Sequence, residues 1–142
     1  MKTLFSTRWG ALLAAMLFLL LSARAATAAD PLVSIDWLKA NLGKPGIAIV
    51  DFQPPPDYLR AHIPGAVSSN YGKDGWREER ASDKVPDMFP EKLDKLVAHI
   101  GSLGIDNNTH VVLVPMGMNS TDVGVATRVY WTFKVLGHDN VS

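Results

Sequence analysis

Two short apolar runs limit what this chain can fold into more than anything else in it. Gly46-Ile47-Ala48-Ile49-Val50 ends on Asp51, and His110-Val111-Val112-Leu113-Val114 ends on Pro115. Neither run alternates apolar with polar residues, so each reads as a strand buried on both faces, which is the pattern of a parallel sheet. The segments between and around them have helical spacing. Ser34 is placed to cap a short helix carrying Ile35, Trp37, Leu38 and Leu42, with Gly43 suited to the left-handed turn that ends it. Pro54-Pro55-Pro56 predicts an extended turn, followed by a brief helix capped by Asp57 and carrying Tyr58 and Leu59. His62 to Val67 reads as a turn into another short strand, and residues 67 to 89 as the longest irregular stretch.

Pro90 is placed to open a helix with Leu93, Leu96, Val97 and Ile100 on its core face and Gly101 at its end. A last helix follows the second apolar run, with Val125, Val129, Phe133 and Leu136 on one face and Gly137 closing it. Strand and helix alternate throughout, which predicts an α/β fold with a central parallel sheet flanked by helices on both faces.

Ahead of this domain, Lys2 and Arg8 precede an unbroken apolar run from Ala11 to Leu21 and a small-residue stretch ending Ala26-Thr27-Ala28. A spanning helix needs about 20 apolar residues, so residues 1–29 read as a secretory signal cleaved near Ala28 or Ala29 rather than as an anchor. The expected location is periplasmic or secreted, with no membrane attachment after cleavage. Residues 30–142 form the expected domain. Three of the fourteen basic residues and none of the fourteen acidic ones lie in the leader, which leaves eleven basic against fourteen acidic. A mildly acidic domain without a basic run gives no electrostatic basis for nucleic-acid binding. The chain has no cysteine, which excludes disulfides, lipid attachment through cysteine and thiolate chemistry on this chain.

In folds of this kind ligands sit beyond the carboxyl ends of the strands. That nominates the loop Pro115-Met116-Gly117-Met118-Asn119-Ser120-Thr121-Asp122, whose helix start offers unpaired N–H groups and a positive dipole end suited to an anion. Asp51 also stands at a strand end, where a carboxylate more often ties down the next loop than does chemistry. Arg128 is a weaker candidate for orienting an anion, with pairing to a carboxylate the plainer reading. His62 in HIPGA is expected to bond local backbone, and His99, His110 and His138 show no metal-ligand spacing and read as surface residues. Tyr130, Trp131 and Phe133 form an aromatic cluster suited to core packing or to an interdomain face, and Trp76 and Arg77 are further candidates for such a face. Asn107, Asn119 and Asn140 each open an N-x-Ser/Thr triplet and are read as loop polarity. A receiver-type α/β domain is the competing fold, but it needs several acidic residues at a strand end and only Asp51 is so placed.

Three stretches in order, YLRAHIPGAV (58–67), GSLGIDNNTHVVLV (101–114) and ATRVYWTFKVLGHDNV (126–141), resemble the N-terminal domain of the tandem rhodaneses, the thiosulfate and 3-mercaptopyruvate sulfurtransferases. The resemblance covers most of residues 32–142 and implies a rhodanese-like fold. In that family a cysteine on the strand-to-helix loop of the second domain accepts sulfane sulfur as a persulfide and passes it to a thiophilic acceptor. The first domain usually lacks that cysteine. Here Pro115 or Met116 stands at the corresponding position; proline has no nucleophilic atom and a thioether cannot ionise. The resemblance therefore implies no catalytic residue, metal or cofactor on this chain, a second rhodanese domain as partner, and a small sulfur-containing anion as a possible ligand. It also implies that the domain is C-terminally truncated, with a last strand barely begun and one sheet position open. The alternative expectation is a stand-alone, cysteine-free rhodanese-like module that binds an anion or a partner protein.

Overall fold

A computed structural model of the chain describes residues 28–142. The expected leader lies almost wholly outside these residues. Helix α1 (Ile35–Asn41) is capped by Ser34, whose hydroxyl accepts from the Trp37 amide at 3.0 Å. Strand β1 (Ile47–Asp51) follows, then α2 (Pro55–Arg60), β2 (Val67–Ser68), α3 (Asp94–Ser102), β3 (His110–Val114) and α4 (Ser120–Val135). The sheet order is β2-β1-β3, all parallel, with Ile47 opposite His110 and Asp51 opposite both Val114 and Ser68. Asn140–Ser142 run alongside β3: the Val111 amide donates to the Asn140 carbonyl and the Ser142 amide to the Val111 carbonyl, both at 2.9 Å.

The unbroken apolar runs are explained by their two covered faces. Val50 and Val111 point to one side, where they pack with Trp76, Leu96, Val129 and Phe133 beneath α3 and α4. Ile49 and Val112 point to the other, where Trp37, Leu38 and Leu42 of the α1 region cover them. Each fully buried aliphatic or aromatic side chain of this kind contributes about 1.5–3 kcal/mol relative to exposure. Placing the two faces on different neighbours is what fixes the strand register.

Several local expectations are corrected. Helix α2 starts inside the triproline: Pro55 and Pro56 occupy its first turn, where a missing N–H costs nothing and the fixed φ suits the helix, so Asp57 sits within the first turn rather than at the cap. Leu59 is 80 % exposed and belongs to no core. Helix α3 begins at Asp94, not at Pro90, and its buried stripe narrows to Leu96, with Ile100 beside it and Val97 turned outward. The left-handed residue that ends it is Gly104, at φ +79°, rather than Gly101. The irregular stretch folds back through an antiparallel bridge between Glu78 and Met88. Gly43 and Gly137 do take the expected positive φ at the ends of α1 and α4.

Candidate functional site

The β3–α4 loop lies at the carboxyl ends of the strands, as the fold requires, and four of its amides are already spent within the chain. Asn119 is the N-cap of α4 in extended backbone, and its side-chain oxygen accepts from the Thr121 amide at 2.8 Å and the Asp122 amide at 3.2 Å. Asp122 reaches back, its Oδ2 accepting from Met118 N at 2.8 Å and Asn119 N at 3.1 Å. This reciprocal capping box consumes four N–H groups at the start of the helix. The expected anion cradle is thereby narrowed: an internal carboxylate, placed where the helix dipole favours negative charge, holds two of the loop amides, and the Gly117 and Ser120 amides have no partner among the described residues.

Met116 and Asp122, with Val125 one turn along α4, form one wall of a crevice of about 220 Å³. The opposite walls are Phe52, Gln53, Pro54 and Pro55 after β1, and Asn70, Tyr71 and Gly72 after β2. Sequence reasoning missed these two segments as parts of the site. The signal was present for the first, since FQPPP leaves a buried strand at its carboxyl end; β2, expected as a short strand near Val67, is only two residues long and lacks the apolar run that would mark its carboxyl end as a site wall. Pro115 faces away from the crevice, into an apolar groove of about 320 Å³ with Leu32, Leu113, Val123 and Tyr130. Met118 is 74 % exposed at the loop tip.

Asp51 is fully buried, and it acts on the crevice through its neighbour. Its Oδ1 accepts from Gln53 N and its Oδ2 from Gln53 Nε2, both at 2.8 Å, which fixes the Gln53 side chain against the crevice floor. Arg128 is outside the site: its guanidinium lies 3.4 Å from the Asp87 carboxylate and donates to the Asp87 carbonyl at 2.7 Å. His62 stacks on Tyr58, with Nδ1 2.8 Å from the Tyr58 carbonyl, so it serves local structure.

The remaining histidines are half-buried and hydrogen-bonded rather than free on the surface. His138 Nε2 meets the Thr109 carbonyl at 2.9 Å and His110 Nε2 meets Ser142 Oγ at 2.8 Å. Burial, reinforced by the neighbouring His138, pushes the His110 imidazole below its ordinary value. His99 Nε2 is 3.0 Å from Ser69 Oγ, and Ser69 Oγ donates to Asp74 Oδ2 at 3.0 Å. This serine, histidine and aspartate are not a nucleophilic triad. Ser69 is 1 % exposed, and Asp74 lies on the same ring nitrogen that faces the serine, at 3.7 Å, instead of orienting the far one.

Trp76 is corrected from interface candidate to core residue. It is fully buried, donates from Nε1 to Ser69 Oγ at 2.9 Å, and packs edge-on to Phe52 and His99. Arg77 pins the same segment to α4 through the Arg128 carbonyl at 2.9 Å and Thr132 Oγ1 at 2.7 Å. Its guanidinium lies within 6 Å of the Tyr71, Phe89 and Trp131 rings, and burial pulls its pKa below the usual guanidinium value. The aromatic cluster of α4 divides accordingly: Phe133 is core, Tyr130 packs beside it, and Trp131 is 52 % exposed.

Comparison with known proteins agrees with this architecture. The family model for the rhodanese-like domain matches residues 34–142. The chain is 33% identical over 129 residues to thiosulfate/3-mercaptopyruvate sulfurtransferase 1, mitochondrial, of Arabidopsis thaliana, covering 84% of this chain and 32% of that relative. It is 35% identical over 125 residues to the thiosulfate sulfurtransferase of Bos taurus, covering 78% of this chain and 39% of the relative. The chain thus spans about a third of the length of the curated relatives it matches. A parallel three-stranded sheet with helices on both faces, matched over nearly all of its described length, belongs to the rhodanese-like domain family.

Proposed function

We propose that this chain is the non-catalytic rhodanese-like half of an exported thiosulfate/3-mercaptopyruvate-type sulfurtransferase, supporting transfer of sulfane sulfur that a cysteine on a second rhodanese domain carries. The observation that carries the reading is the β3–α4 loop. It stands at the position of sulfur chemistry in this fold, has no ionisable sulfur, and has four of its amides taken up by Asn119 and Asp122. A persulfide needs both a thiolate to form on and donors to stabilise it. Sulfurtransferase-type function is supported by the family and by the sulfurtransferases among the relatives; the role of this chain within it is our inference.

The test is a thiosulfate-to-cyanide assay of the purified chain, read as thiocyanate, with intact-mass measurement after thiosulfate treatment. No turnover and no added sulfur are expected. Turnover, or sulfur bound covalently to the polypeptide, would overturn the proposal. Export is tested separately: N-terminal sequencing of protein from the cell envelope should begin just after Ala28 or Ala29. The alternative, a stand-alone anion-binding module, is disfavoured because the Asp122 carboxylate holds two of the loop amides and would repel a thiosulfate ion approaching the others.

A further inference from the structure

The crevice beside the β3–α4 loop has an electrostatic character opposite to that of an anion site. Its one formal charge is the Asp122 carboxylate; no lysine, arginine or histidine lines it. Oδ2 of Asp122 is saturated by Met118 N and Asn119 N, while Oδ1 has no partner among the described residues. Across the crevice, Asn70 Oδ1 accepts from Gly72 N at 3.1 Å. Gln53 spends its amide on Asp51, and the Tyr71 hydroxyl donates to Asp87 at 3.0 Å. An entering anion would find the Asn70 Nδ2 group uncommitted, but in a crevice whose one formal charge is a carboxylate. An entering cation would meet a fixed carboxylate oxygen and the apolar surfaces of Phe52, Pro54, Pro55 and Val125.

We infer that this crevice receives the cationic side chain of a partner protein, an arginine or lysine whose alkyl stem lies along the proline and phenylalanine wall and whose head group reaches Asp122 Oδ1. The geometry suits the task because the capping box holds the carboxylate in place before the ligand arrives, so little side-chain entropy remains to be lost on binding. A charge-assisted hydrogen bond to a fixed carboxylate is stronger than its neutral counterpart. The stem of such a side chain is itself apolar, matching the crevice walls. Met118, standing exposed at the loop tip, supplies the adaptable thioether surface common at protein-binding faces. The inference goes beyond the sulfurtransfer reading and stands or falls separately from it.

The test is an amide-resolved NMR titration of the ¹⁵N-labelled protein with n-butylguanidinium chloride and, at equal ionic strength, with sodium thiosulfate. Butylguanidinium is expected to move the amides of residues 70–72 and 116–125 saturably, and thiosulfate to leave them in place. Asp122→Asn should weaken the guanidinium response by about tenfold, the scale of one charge-assisted hydrogen bond. Asn70→Asp, which keeps the acceptor for Gly72 and leaves the capping box untouched, should tighten it, and this variant decides the matter if Asp122→Asn fails to fold. A blocked tripeptide with a central arginine should move the same amides as butylguanidinium. Saturable thiosulfate binding at these amides, no response to the cations, or a response unchanged in Asn70→Asp would each overturn the inference.

Discussion

Two polar clusters near the crevice use similar residue types and are built on opposite plans. The Asn119–Asp122 box is local: its donors and acceptors lie within four residues of one another, on an exposed loop. The Ser69 cluster is assembled across the chain. Its serine hydroxyl accepts from Trp76 seven residues on, contacts His99 thirty residues on, and donates to Asp74, with Ser69 itself in the protein interior. Because that hydroxyl has a single proton and gives it to Asp74, His99 must donate from Nε2. The neutral histidine in this cluster is therefore the Nε2–H form. The local box tunes one loop, and water can replace any member of it. The assembled cluster closes the core, where a lost partner leaves a buried group with nothing to bond.

That contrast can be broken most forcefully at Trp76. Trp76→Ala removes the largest fully buried side chain and should cost about 3–5 kcal/mol in urea unfolding, a loss severe for a domain of this size. Trp131→Ala, the matched control on the exposed side of α4, should cost about 1 kcal/mol or less. Equal effects would mean that the core is not centred where Val50, Trp76 and Phe133 meet. Ser69→Ala comes next, with an expected loss of about 1–3 kcal/mol, because Trp76 Nε1 is left buried without an acceptor. If Ser69→Ala proved neutral in the same unfolding measurement, the cluster would not be closing the core at all.

The difference between the clusters also explains what could be read from the sequence. The sheet was legible because GIAIVD and HVVLV carry their burial in their own composition, and α1, β1 and β3 lie where those patterns put them. The rhodanese-like segments were legible for the same reason, being contiguous. The Asn119-x-x-Asp122 spacing is equally contiguous, and it signals a capping box that satisfies four loop amides internally rather than a helix start with all its amides free. The Ser69 cluster could not be seen. Nothing in SNYGKDGWR announces that a histidine from α3 will meet its first serine, since that contact depends on how α3 packs on the sheet. The three histidines were misplaced on the surface for this reason.

Asn119→Ala probes the local plan. It deletes the acceptor for Thr121 N and Asp122 N on an exposed loop, and should cost about 1 kcal/mol, the usual value of an N-cap. Asn119→Asp should recover most of that, since a carboxylate at the cap accepts the same bonds and suits the helix dipole. A loss from Asn119→Ala as large as that from Ser69→Ala, measured by the same unfolding curve, would erase the distinction between a local cap and an assembled core cluster.

The smallest expected effect sharpens the comparison through pH. His110, at the amino end of β3, is a half-buried polar residue with a long-range partner but no carboxylate to compensate it. Ser142 Oγ gives its proton to the Asp30 carbonyl, so His110 Nε2 donates to Ser142. Protonating the second nitrogen must then place charge beside Trp37 and against His138, in a partly desolvated position. The folded-state pKa lies below the ordinary value of 6.5, so the unfolded chain binds this proton more readily than the folded one. The stability His110 contributes is complete above 6.5, declines as the pH falls below it, and stops declining once the folded form protonates as well. His110→Gln keeps a donor toward Ser142 and cannot titrate. Unfolding free energies measured from pH 7.5 to 5 should therefore fall more steeply for the parent than for His110→Gln. Parallel curves would show that the acid sensitivity of the domain arises elsewhere.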